Sequence, residues 1–133
     1  MTEDTIRFLG LIRRAGKLEI GDMSVEAVVK NRRARLVLLA EDAGGGITRK
    51  IQNTTKEYEI PNITIPLGKQ ELSQAIGRDN VAVAAVMDLG FSTSLLEKIS
   101  SEYPEETEYL DSLQMLEAKK KTKRTNRADN RRK

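Results

Sequence analysis

Apolar residues recur along this chain with two alternating patterns: the three-to-four-residue spacing of helices, and short unbroken runs suited to buried strands. Ile6, Phe8, Leu9 and Ile12 carry the first helical stripe, which Thr2 or Asp4 can cap and which stops near Ala15-Gly16. Leu18-Glu19-Ile20 reads as a short strand. Gly21-Asp22 opens a second helix with Val25, Val28 and Val29 inward. Lys30, Arg32 and Arg33 sit near its end, where cations suit the helix dipole. Residues 36–40 form an uninterrupted apolar run, expected to be a strand buried on both faces.

Glu41-Asp42-Ala43 and three glycines follow, and a third helix is expected from about Ile47, with Ile51, Thr54 and Tyr58 on its stripe. Ile60-Pro61 ends it, and Ile63-Thr64-Ile65 supplies the next strand. Residues 69–76 form a short helix closed by Gly77. Residues 81–87, the most apolar run, are expected to be the central strand. Asp88-Leu89-Gly90 then turns the chain into a helix with Phe91, Leu95, Leu96 and Ile99 inward. Beyond Ser101 the pattern weakens; Pro104 can start a helix on which Tyr109, Leu113 and Leu116 form a partial stripe. That stripe is available either to the sandwich or to a protein partner. Alternating strands and helices favour an α/β/α sandwich over a bundle.

Charge divides the chain where the pattern weakens. Residues 1–101 carry 14 basic against 13 acidic groups. Residues 102–118 hold six acids and no base, and residues 119–133 hold nine bases and one acid. The chain therefore reads as a domain over 1–101, an acidic helical extension over 102–118 and a basic tail over 119–133, expected to be disordered. A tail of this kind neutralises phosphates and releases counterions without any demand on sequence, which makes nucleic acid the first partner to consider.

Composition narrows the chemistry. There is no Cys and no His, so thiolate metal sites, disulfides, and the commonest metal ligand and general base are all missing. No cofactor is expected, and the protein is not expected to be an enzyme. The start MTEDTIRFLG has acids where a signal peptide needs bases, and no run reaches membrane-spanning length, so a cytoplasmic protein without membrane contact is expected. With no Trp and five other aromatics, base stacking is not the main binding device.

Three places could bind a ligand. The Glu41-Asp42-Ala43-Gly44-Gly45-Gly46 connection matches no phosphate-loop motif, and its acids would repel an anion. The helix start Gly21-Asp22-Met23-Ser24 exposes N–H groups near Lys17, Lys30 and Arg33, although Asp22 or Ser24 could equally be an ordinary N-cap. Asp88-Leu89-Gly90 would place an apolar residue beside a glycine on an exposed turn. If that turn lies beside Gly21, the two form one surface.

The order of these pieces resembles the L-seven-Ae / L-thirty-e ribosomal-protein superfamily of kink-turn RNA binders, in particular its bacterial YlxQ-like branch. Ala34-Arg35-Leu36-Val37-Leu38-Leu39-Ala40-Glu41-Asp42-Ala43 and Leu72 with Ala75-Ile76-Gly77-Arg78 carry the resemblance, over about residues 6–99. It implies that the helix start after Gly21 reads tandem G·A pairs through N-E-x-x-K, and that an apolar turn after the last strand packs on extruded nucleotides. Those three polar positions fall here on Met23, Ser24 and Ala27, so this chain lacks all three base readers. Each good polar base contact is worth about 1–3 kcal/mol of discrimination. Their loss shifts the expectation toward phosphate and shape contacts.

The expected fold is α/β: a three-layer α/β/α sandwich with a four-stranded mixed sheet, plus a C-terminal extension. The expected RNA-contacting residues are Lys17, Gly21, Asp22, Met23, Ser24, Ala27, Lys30, Arg33, Asp88, Leu89 and Gly90. The expected partner is a structured, kink-turn-like RNA, with ribosomal RNA among the candidates, bound by a monomer. The competing reading is a protein-interaction module of the same fold.

Overall fold

The computed structural model of this chain describes residues 1–132, with side chains for residues 1–121. The expectation of a disordered tail over 119–133 therefore falls almost wholly outside the described side chains. Elements run α1 (Glu3–Arg14), β1 (Leu18–Ile20), α2 (Asp22–Lys30), β2 (Leu36–Ala40) and α3 (Gly45–Glu57). Then come β3 (Asn62–Ile65), α4 (Lys69–Ile76), β4 (Val83–Val86), α5 (Leu89–Glu102) and α6 (Thr107–Arg132).

The four strands form one mixed sheet in the order β1-β4-β2-β3. β4 is antiparallel to both β1 and β2, while β2 and β3 are parallel. The unbroken apolar runs make sense at once, because the strands split their side chains between two cores. Leu36, Leu38, Ala84 and Val86 pack with α1, α4 and α5 through Leu9, Ile12, Leu72, Leu95 and Leu96. Val37, Leu39, Val83 and Ala85 pack with α2 and α3 through Val25, Val28, Val29 and Ile51. The result is the expected three-layer sandwich.

Several boundaries shift for local reasons. Thr2 caps α1 by accepting from the Thr5 N–H. α3 begins at Gly45, earlier than Ile47, and buries Thr55 rather than Tyr58, which is its C-cap. Gly77 closes α4 at φ 80°, where a side chain would be strained. Asp88-Leu89-Gly90 is not an exposed turn: Asp88 accepts from the Phe91 N–H at 2.8 Å, and α5 starts at Leu89. Pro104 lies in the α5–α6 connection rather than in the first turn of α6.

The acidic extension is helical and packs on the sandwich. Tyr109 and Leu116 are buried in the larger core cluster, with Leu113 against it. β3 is an edge strand, and α6 covers it: the Tyr109 hydroxyl donates to the Thr64 carbonyl at 2.7 Å, and the Thr64 N–H donates to Glu108 Oε1 at 3.1 Å. Both groups would otherwise be an open template for another strand. Burial first, and then Glu108, push the Tyr109 phenol up to about 12, so it stays protonated as a donor. Farther along α6, Lys119 Nζ donates to the Glu59 carbonyl at 2.7 Å. Because Thr64 is near the C-terminal end of β3 and Glu59 precedes its start, α6 runs back along the edge, antiparallel to β3.

Candidate nucleic-acid interface

Pairing directions decide what can meet. β1, β2 and β3 all point the same way and β4 points against them, so three strand ends and one strand start share one end of the sheet. α2, α3 and α4 all begin there, each with glycine as N-cap: Gly21, Gly44 and Gly68. No side chain of these glycines can cap the helices, and aligned N-termini bring partial positive charge to one place. At α4 the vacancy is filled by Asp42, whose Oδ1 accepts from the Lys69 N–H at 2.7 Å. At α2 neither Asp22 nor Ser24 acts as the N-cap; Gly21 does, with no side-chain cap bond.

Gly21 holds its place through backbone geometry. Its φ is 97° and ψ 152°, a region that L side chains rarely adopt, although a Cβ there would meet nothing within 4 Å. Its N–H donates to the Val83 carbonyl at 3.1 Å, and its carbonyl accepts from Val25 at 2.9 Å. The kink thus joins β1 to the start of β4 and aims α2 outward. Met23 is 79% exposed, and Ser24, Ala27 and Lys30 are also exposed. Met23, Ala27 and Lys30 fall on one stripe of the helix, away from Val25 and Val28. Beside them lies a cleft of about 240 Å3 among Gly21, Asp22, Gly44, Ile47, Lys69, Asn80 and Ala82.

Along α2 the side-chain charge is paired. Glu26 accepts from Lys30 at 2.7 Å and from Lys50 at 2.8 Å, and Lys50 also stands 3.9 Å from Asp22. Hydrogen bonds from Lys30 and then Lys50 hold the Glu26 carboxyl below the usual carboxylate range. The Glu26 bond in turn raises both lysines. Lys30 is therefore at the expected place but already engaged. What is offered outward is backbone N–H groups, a small hydroxyl, a methyl and a thioether.

The expected residues do not form one surface. Gly21, Asp22, Met23, Ser24, Ala27 and, one turn further, Lys30 share the α2 face. Lys17, Arg33, Asp88, Leu89 and Gly90 lie at the opposite end of the sheet: the Met87 N–H donates to the Lys17 carbonyl, and the Arg35 N–H to the Val86 carbonyl. A strand of this length separates them by roughly 15 Å. Leu89 is half-buried against the larger core, so it offers no apolar contact beside Gly21. The segment that does stand beside Gly21 is the one before β4, including Asn80 at φ 57° and Ala82.

Asn80, Lys50 and Lys69 were not singled out by sequence. Asp79-Asn80 carries a turn signal, since Asn tolerates the left-handed region. That its turn faces Gly21 follows only from the antiparallel pairing of β1 with β4. Among the described residues no group of three or more His, Cys, Asp or Glu could hold a metal, and no helix is long and apolar enough to cross a membrane.

Comparison with known proteins agrees with this architecture. The ribosomal protein L7Ae/L30e/S12e/Gadd45 family matches residues 7–96. The RNA-binding protein YlxQ of Bacillus subtilis (strain 168) is 35% identical over 88 residues, covering 66% of this chain and 87% of that protein. Its namesake in Enterococcus faecium is 30% identical over 97 residues, covering 73% and 92%. A solved structure of a protein of unknown function from Bacillus halodurans superposes with a TM-score of 0.70 at 33% identity, over 74% of this chain and 99% of that one. The Giardia lamblia 15.5kD RNA binding protein gives a TM-score of 0.61 at 16% identity, over 76% and 92%, a likeness of fold alone.

Proposed function

Because this chain belongs to the ribosomal protein L7Ae/L30e/S12e/Gadd45 family, we propose that it is an RNA-binding protein that uses the end of the sheet where α2 begins. The relatives named as RNA-binding proteins support the class of partner. The observation that carries the reading is the open start of α2: a glycine cap without a side-chain bond, with Met23, Ser24 and Ala27 exposed on the face that follows.

That face suits a bent polynucleotide backbone. Uncapped N–H groups at a helix start bind phosphate oxygens, and three converging helix starts strengthen the field they see. Met23 and Ala27 offer no hydrogen bond to a base edge, and Ser24 offers only a hydroxyl. Contacts to phosphate and to shape therefore dominate, and base readout is weak. Lys30 and Lys50 can exchange Glu26 for a phosphate at low cost, since exposed ion pairs contribute little. In this reading the protein acts in the cytoplasm as a monomeric binder rather than as a catalyst, and a kinked, structured RNA is its ligand. The turn around Asn80 and Ala82, rather than Leu89, flanks the bound backbone.

The test is fluorescence anisotropy with an RNA duplex kinked by an asymmetric loop and tandem G·A pairs, against an uninterrupted duplex of equal length. The kinked RNA is expected to bind more tightly, by less than about tenfold, because the polar base contacts worth about 1–3 kcal/mol each are missing. Met23→Asn, Ser24→Glu and Ala27→Lys together should widen that preference at least tenfold. Equal affinity for both RNAs before and after the triple substitution, or no affinity at low salt, would remove this end of the molecule from consideration.

The protein-interaction reading loses its main support. The Tyr109, Leu113 and Leu116 stripe expected to receive a partner is already spent on the sandwich.

A further inference from the structure

The end of the sandwich remote from Gly21 gathers a different kind of charge. Across it stand Lys17 before β1, Arg35 before β2 and Lys119 on α6, with Arg32 and Arg33 just past α2. Neighbouring strands lie about 4.8 Å apart, so the row from Lys17 to Lys119 spans roughly 15–20 Å. Lys119 is the fixed point of the row, through its bond to the Glu59 carbonyl. Burial first, and then neighbouring Arg35 and Arg32, push its ammonium below the usual lysine range, with Glu59 opposing them. Three cations are thus crowded at one place.

Part of this charge has a structural use. Lys119 lies just past the C-terminal turn of α3, and Arg32 and Arg33 just past that of α2, where cations offset the negative end of the helix dipole. The surplus is larger than that need. Arg33 is exposed, Lys120 follows Lys119, and residues 122–133 add six bases against Asp129. The acids near this end include Glu57, Glu59, Glu117 and Asp88, and Asp88 is occupied as the α5 cap.

We propose that this end is a second nucleic-acid contact, which grips phosphates without regard to base sequence, so that one chain holds two polynucleotide segments at opposite ends of its sandwich. The ligand class rests on the RNA reading of the α2 end; the surface itself is separate from it. Charge without apolar anchors favours nucleic acid over an acidic protein. Residues 119–133 hold nine bases and Ala128 as their sole apolar residue, whereas protein interfaces draw their energy from buried aromatic and aliphatic anchors. Docking of Tyr109 and Leu116 along the β3 edge carries Lys119, where the basic segment begins, to the Arg35 side and away from Gly21.

The experiment uses the full chain and two RNAs, an immobilised kinked hairpin and a labelled straight duplex. Wild type should retain the straight duplex on the hairpin-loaded surface. Arg33→Gln with Lys120→Gln, Lys123→Gln, Arg124→Gln and Arg127→Gln should abolish that capture. The same five changes should lower the slope of log affinity against log salt by about 3.5–4.5, at about 0.7–0.9 per lost phosphate contact, while the preference for kinked RNA survives. Lys123→Gln, Arg124→Gln and Arg127→Gln alone should give about three fifths of that change if the larger variant folds poorly. Ala27→Glu should do the converse, removing the kinked preference and sparing straight-duplex binding. An unchanged slope and unchanged capture in both basic-end variants overturns the proposal. So does lost binding to poly-glutamate with RNA affinity intact, which would assign the surface to an acidic protein. Failure of the Ala27→Glu arm alone counts against the α2 reading and leaves this one standing.

Discussion

The two ends of this sandwich present opposite surfaces. Along α2 the ions are matched: Glu26 holds Lys30 and Lys50, and Asp22 lies near Lys50, while Asp42 caps α4. What is left to a ligand is backbone N–H groups and small side chains. At the other end cations crowd one another, as Lys119, Arg35 and Arg32 do, with few acids to answer them. Local neutrality favours recognition by shape, because an unbalanced field would hold any polyanion. Imbalance favours capture. Dividing the two proposed tasks between opposite ends would let each surface do what the other would spoil.

Detaching the basic helix is the strongest way to break this division. Leu116 is fully buried and anchors α6, so Leu116→Ala should cost about 2–5 kcal/mol by urea unfolding. An unaltered midpoint would mean that α6 is not part of the folded unit. Next in size is Gly21→Ala, expected to lose about 1–3 kcal/mol from backbone strain at φ 97°. It should also weaken kinked-RNA binding while straight-duplex binding persists; loss of both together would show that the ends are not independent. Tyr109→Phe removes the bond to the Thr64 carbonyl and should cost about 1 kcal/mol, seen as a lower melting temperature.

Smaller changes sharpen the contrast instead. Glu26→Gln unties Lys30 and Lys50, so stability should barely move while salt dependence of RNA binding steepens by up to about two. If the slope does not change, those lysines do not reach phosphate. Glu102 is the last probe, at the α1 N-terminus. Burial raises its pKa, but hydrogen bonds from Thr2 and Thr5 prevail and leave it below the ordinary 4.5. A lowered folded pKa contributes stability above that ordinary value and loses it as pH falls through the folded one. Glu102→Gln should therefore lower stability modestly at neutral pH and flatten its fall below about pH 4.5.

Sequence by itself determined the elements, their alternation and the layered class. It did so because burial imposes a local period: Val25, Val28 and Val29 can only be one side of a helix, and an all-apolar Leu36-Val37-Leu38-Leu39-Ala40 only a strand covered twice. It also located the open helix start at Gly21 and the basic segment after residue 118. Tertiary structure alone decided which ends these features occupy. Pairing β1 antiparallel to β4 set Gly21 beside Ala82 and sent Lys17 and Leu89 away, and docking Tyr109 and Leu116 along β3 brought Lys119, where the basic segment begins, close to Arg35. Direction and register between strands far apart in the chain come from cooperative packing of the whole core, which no short window of residues encodes.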